Sequence, residues 1–255
     1  MGRVTAPTTA SRSAGLSTTG HPPGASGPAV AATVLAWISV VLLLDSDGSL
    51  WLQRGLGVAT WGVLLLVLRA ERPLVRVQTG VVVVIATAVE YTFSPLLEVY
   101  TYRFDNVPSY VPPGHGLVYV AALALGRSLL VRAHLRVCTA LVLVVGGAWA
   151  GYGVLLASRP DALGLFWFCC LAGFLCWGPS RPLYVGAFVV VSYLEIVGTV
   201  LGTWQWQPRD PTGLVTIGNP PSGAAGGYGW FDLYALWLAG PLLARWRRLR
   251  ASFAD

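Results

Sequence analysis

Apolar residues run along this chain in blocks of roughly twenty, separated by short segments that carry Gly, Pro, Arg and acidic residues. The blocks lack the charged stripe of a soluble amphipathic helix, and each is long enough to cross about 30 Å of hydrocarbon as a helix. The pattern predicts eight membrane helices, over residues 28–45, 50–69, 77–97, 115–132, 135–157, 162–179, 183–202 and 228–246. All of them contain glycine or polar interruptions, which a membrane bundle tolerates where neighbouring helices satisfy the backbone. Residues 1–27 are rich in Ser, Thr, Gly, Pro and Ala and hold no apolar core segment, which predicts a disordered tail rather than a signal peptide. The expected fold is therefore all-α, a polytopic membrane helical bundle. Its two four-helix halves cover 28–132 and 133–255, the second ending in a short basic tail.

Composition narrows the class. Of 255 residues, 55% are apolar and 11% charged, whereas a soluble domain carries about 25% charged residues. The net charge of +6 comes from arginine alone, because the chain contains no lysine. Arginines scattered beside apolar blocks signal topology rather than a nucleic-acid surface. With the N-terminus inside, thirteen of the seventeen arginines fall on the inner side, and Arg54, Arg103, Arg159 and Arg209 fall outside. The chain is thus expected in a cell membrane with both termini cytoplasmic. Cys138, Cys169, Cys170 and Cys176 lie inside apolar blocks, with neither a disulfide framework nor a metal-ligand spacing.

Two connections, 98–114 and 203–227, are longer than a minimal connector requires, and both fall on the expected outer side. They repeat one order of residues. Glu90 is followed by Tyr100-Thr101-Tyr102, Arg103, Asp105, Asn106 and Pro112-Pro113-Gly114. Glu195 is followed by Trp204-Gln205-Trp206, Arg209, Asp210, Asn219 and Pro220-Pro221. Each block joins the third and fourth helices of a half. Because four is even, the two halves would be parallel repeats about an axis normal to the membrane.

Glu90 and Glu195 carry the sharpest chemical signal. A carboxylate inside a membrane helix needs a base or a cavity, and a buried carboxyl group can serve as a proton donor near neutral pH. A purely structural role, with each glutamate holding helices together, is the competing reading. Asp232, early in the last helix, could complete a cluster of three acids or simply favour the helix start. His115 follows Pro-Pro-Gly at the fourth helix and could titrate beside these acids. A carboxylate-rich set suits zinc poorly, so no metal and no cofactor is expected. Tyr100, Tyr102, Trp204, Trp206 and Trp230 could stack on a flat ligand, since alternate residues of an extended segment share a face. Arg103, Asn106, Arg209 and Asn219 complete the set of candidate binding residues.

The run Gly202-Thr203-Trp204-Gln205-Trp206, with Gly218-Asn219-Pro220 and Gly229-Trp230-Phe231, resembles a motif of bacterial carotenoid-biosynthesis membrane proteins of the 1′,2′-hydratase type. Glu90 with Tyr100-Thr101-Tyr102 is similar to that family's first motif block. The resemblance covers the two loop blocks, and Asn219 precedes Pro220 where the family has the reverse order. It implies acid-assisted, lyase- or hydratase-type chemistry on a carotenoid, isoprenoid or other lipid near the outer face. In that reading Glu90 and Glu195 act as the acids, supported by His115 and Asp232. A proton-coupled carrier of a small or lipid-like solute and a non-catalytic membrane scaffold are the alternatives. Nothing in the sequence sets the oligomeric state.

Overall fold

A computed structural model describes residues 26–253. The chain forms α1 (Ser26–Ser46), α2 (Leu50–Arg69) and α3 (Pro73–Tyr91), the last running into a π-helical turn at Thr92–Leu96. A three-residue strand β1 (Tyr100–Tyr102) leads to α4 (Val111–Gly126) and the short α5 (Leu129–Ala133). Then come α6 (Leu135–Leu155), α7 (Ala162–Trp177), α8 (Arg181–Val200), β2 (Trp204–Trp206) and α9 (Ala224–Ser252). Five of these helices are long and apolar enough to cross a membrane. The described protein is all-α apart from one two-stranded ribbon, and each of the eight expected segments overlaps a helix.

Local chemistry sets the boundaries. Ser49, Ser128 and Asp161 cap α2, α5 and α7 by accepting from the backbone N–H three residues on, satisfying a donor that has no partner inside the helix. Pro73 and Pro182 sit in first turns, where their missing N–H costs nothing. The Ser128 cap divides the single helix expected over 115–132: α4 begins earlier, at Val111, and stops at Gly126 before α5 starts. The Gly-rich run before Tyr228 is helical too, so α9 begins four residues sooner than expected.

The core is built on α4. Almost every residue from Val111 to Gly126 is buried, so its uniformly apolar surface meets protein on all sides. α4 crosses α8, and α3 crosses α9. Small residues make the close crossings possible. A Cβ on Gly186 of α8 would collide with the Ala122 carbonyl of α4, and one on Gly226 of α9 would meet the Trp167 carbonyl of α7.

These crossings predict opposite signs for one substitution. Gly186→Ala should destabilise the protein by about 1–3 kcal/mol through overpacking. Gly62→Ala has open space around it and should stabilise by up to about 1 kcal/mol through helix propensity. Thermal unfolding in detergent compares the two.

Candidate functional site

The site begins where α3 ends. Pro95 lacks an N–H and sits inside the π-helical turn, where Leu97 N–H donates to the Thr92 carbonyl at 3.0 Å. Glu98 then adopts a left-handed φ of 50°, a conformation that ends helices and redirects the chain. The chain doubles back so that β1 passes over the last turn of α3. β2 does the same at the end of α8, and the two strands pair antiparallel, with Tyr100 opposite Trp206 and Tyr102 opposite Trp204. Alternation turns these four rings inward, while Thr101 and Gln205 face away.

Each strand serves one glutamate. The hydroxyls of Tyr100 and Tyr102 donate to Glu90 Oε2 at 2.9 and 2.8 Å. The indole N–H groups of Trp204 and Trp206 donate to Glu195 Oε2 at 3.2 and 3.1 Å. Both glutamates are buried. Burial, and after it the Glu90 charge, raises the phenols of Tyr100 and Tyr102 well above their ordinary value, so both remain protonated donors. The Trp204 ring fits because residue 198 is glycine: a Cβ there would occupy the indole.

The two carboxyls differ in their second oxygen. Glu90 Oε1 lies 2.8 Å from His115 Nε2, so two phenol donors and an imidazole nitrogen converge on that group. Glu195 Oε1 has no hydrogen-bond partner among the described residues, and no cationic side chain reaches this glutamate. Indole N–H groups only donate, so Glu195 Oε2 is committed as an acceptor. A proton on this carboxyl therefore resides on Oε1.

Both glutamates line one cavity of about 290 Å³. α1, α3, α4, α7, α8, α9 and the ribbon all contribute to its wall, and eleven of the lining side chains are aromatic. His115 stacks on Tyr228 with ring centroids 5.1 Å apart and meets the edge of Phe231 at 5.7 Å. Trp167 packs edge-on against Trp206 at 5.6 Å. Polar groups are few and aromatic faces many, which suits an apolar ligand held against a small number of fixed polar atoms.

The expected site residues divide. Glu90, Glu195, His115, Tyr100, Tyr102, Trp204, Trp206 and Trp230 line this cavity together. Asp232 does not, so the cluster of three acids does not form: Asp232 lies one helical turn beyond Tyr228, in a separate narrow void. Arg103 turns away and donates to the carbonyls of Ser46 and Gly48, tying the α1–α2 turn to the ribbon. Asn106 donates to Gln53 Oε1 at 2.8 Å. Arg209 is exposed and donates to the Gly213 carbonyl, and Asn219 accepts from the Trp206 N–H at 3.1 Å. These four hold loops and touch no cavity wall. Among the described residues no three His, Cys, Asp or Glu side chains form a metal-ligand set.

Two further acids, Asp45 and Asp161, are buried anchors. Asp45 accepts from Gln53 Nε2 at 2.9 Å and from the Tyr110 hydroxyl at 2.8 Å. Asp161 accepts from the N–H of Gly164, Gly218 and Ser222 and from the Ser222 hydroxyl. Each closes one long connection against the helix pair beneath it. The only signal for either was an acid placed at the edge of an apolar block. Comparison of the chain with protein-family models, characterised proteins and solved structures gave no match.

Removing the Asp161 anchor should loosen the 203–223 connection. Asp161→Ala leaves three buried N–H groups and a hydroxyl without their acceptor, so a loss of about 3 kcal/mol or more is expected. Leu214→Ala, at an exposed position of the same loop, should change the unfolding midpoint little. Denaturant unfolding of the two variants checks the contrast.

Proposed function

We propose that the cavity is the active site of an integral membrane enzyme performing acid-assisted chemistry on a carotenoid, isoprenoid or similar lipid. The observation that carries this reading is Glu195: one oxygen is fixed by two indoles, and the other lies in an aromatic cavity with no hydrogen-bond partner among the described residues. That is how a carboxylic acid is held for proton donation to an alkene. The proton leaves Oε1 for an alkene carbon, and a carbocation forms at its neighbour. The surrounding Trp and Tyr faces stabilise that positive charge through their ring quadrupoles. Addition of water completes a hydration, and the Glu90–His115 pair accepts the proton that the water releases. Loss of a proton from the carbocation instead would give isomerisation or elimination.

The surroundings support the same reading. Tyr100, Tyr102, Trp204, Trp206, Trp230 and Phe231, from the segments that carry the resemblance to 1′,2′-hydratase-type carotenoid proteins, line the cavity. α4 on α8 and α3 on α9 are reciprocal crossings, as two parallel four-helix repeats would give. The His115–Tyr228 stack joins the fourth helices of the two proposed halves. In this scheme all eight expected helices cross the membrane. The arginine bias puts the ribbon at the outer face and both termini in the cytoplasm.

Glu195→Gln is the direct test. The amide oxygen can still accept from both indoles, so the fold should persist, but the amide cannot supply the proton. Product formation should fall about 10²-fold or more, with the tryptophan emission spectrum unchanged. The assay is mass spectrometry of lipids and pigments extracted from cells carrying the wild-type chain, the variant or neither. Identical profiles in all three would overturn the reading.

A further inference from the structure

The last stretch of α9 stands apart from the rest of the bundle. Ala239 is the last buried residue of this helix, and every position from Gly240 to Phe253 except Leu243 is exposed. The helix has 29 residues, about 43 Å at about 1.5 Å per residue, against about 30 Å of hydrocarbon. Its buried part begins at the ribbon, so the excess length falls at the opposite end. Gly240-Pro241 marks the junction. Pro241 lies inside the helix and has no N–H for the Trp237 carbonyl, so the helix resists bending least at this point.

The exposed stretch has an order of its own. Leu242, Trp246, Leu249 and Phe253 recur at spacings of four, three and four, so they share one face of the helix. They are 48%, 54%, 47% and 88% exposed, and nothing in the described protein covers that face. Arg245, Arg247, Arg248 and Arg250 occupy the rest of the circumference, and residues 240–253 hold no acid. None of the four forms an ion pair among the described residues. Arg250 Cζ lies 5.0 Å from the centroid of the Trp246 ring, at the edge of the stripe. The same end of the bundle carries Arg69, Arg72, Arg127 and Arg181 at the termini of α2, α3, α4 and α8, with Glu71 as its one acid among the described residues.

We propose that residues 242–253 lie on the membrane surface at the face opposite the ribbon and bind anionic phospholipids there. An apolar stripe bordered by arginines suits the boundary between acyl chains and headgroups: the stripe enters the acyl layer, and the arginines reach the phosphates. Tryptophan is at home at the same depth. The membrane-crossing part of α9 delivers Leu242 to this boundary, and a bend at Gly240-Pro241 lays the stretch along the surface instead of into water. Charge selects the occupant. A second copy seated on the same stripe would bring four arginines from each chain together with no acid between them, and like charges flanking a helix pair repel. Neutral lipid accommodates the stripe but gives the arginines no net countercharge, whereas an anionic surface satisfies both. The inference is independent of the chemistry proposed for the cavity.

Quenching of Trp246 by brominated lipid tests this. The full chain is reconstituted in phosphatidylcholine vesicles containing increasing shares of acyl-brominated phosphatidylglycerol or, separately, acyl-brominated phosphatidylcholine. Both leaflets have the same composition, so the orientation of the protein does not matter. The difference between the wild-type chain and Trp246→Phe isolates the signal of Trp246. Each arginine at an anionic surface is worth about a fivefold preference, so half-maximal quenching should need at least about fivefold less brominated phosphatidylglycerol than brominated phosphatidylcholine. Replacing Arg245, Arg247, Arg248 and Arg250 together by Gln should bring the two curves together. Trp246 should still be quenched in that variant through the apolar stripe, and unchanged emission of the remaining tryptophans shows that the bundle is folded. Equal quenching of the wild-type chain by the two lipids, or a preference that survives the arginine replacements, overturns the proposal. So does a Trp246 that neither lipid quenches, the result expected if a second copy or a soluble partner covers the stripe.

Discussion

Two carboxyl groups are buried near the ends of two helices, and burying a polar group without a hydrogen bond is costly. The bundle solves this with one device used twice. The chain leaving each helix turns back over it and lowers a pair of donors onto the glutamate it has just passed. Pairing of the two strands into an antiparallel ribbon makes each solution depend on the other. The remaining anchors serve this arrangement: Arg103 and Arg159 donate to backbone carbonyls around the ribbon, and Asp45 and Asp161 close the connections that flank it.

The device is symmetric in plan and asymmetric in chemistry. Phenols on one side and indoles on the other give the two carboxyls different surroundings. Glu90 receives two phenol donors on one oxygen and meets an imidazole nitrogen with the other, so both its oxygens are committed. Glu195 receives two donors on a single oxygen, which leaves the other turned to the cavity. Pairs of titratable groups placed in unequal environments take unequal roles in proton transfer. The proposed division, with Glu195 as donor and Glu90–His115 as acceptor, follows from that inequality.

Much of this was legible in the sequence. Apolar block length predicted every major helix, because that length is set by hydrophobic thickness. The aromatic-x-aromatic spacing predicted that Tyr100 with Tyr102, and Trp204 with Trp206, would share a face, because strand alternation depends on local geometry alone. Less legible was which polar side chains point inward. Arg103 and Arg209 occupy equivalent places in the repeated order, yet one is tied to the α1–α2 turn and the other is exposed. The anchoring roles of Asp45 and Asp161 were not legible because their partners, Tyr110 and Ser222, are 65 and 61 residues away in the chain. Asp232, early in the last helix, could join the glutamates or simply favour the helix start, and its place in the sequence does not fix its direction; it faces a different void.

The proposed reaction moves a proton from Glu195 to a carbon atom of an apolar ligand in this cavity. Running the reaction in heavy water and weighing the product tests it most directly. One non-exchangeable deuterium on carbon is expected for each double bond transformed, and no such label with Glu195→Gln. Product formed at the normal rate without carbon-bound deuterium would contradict it.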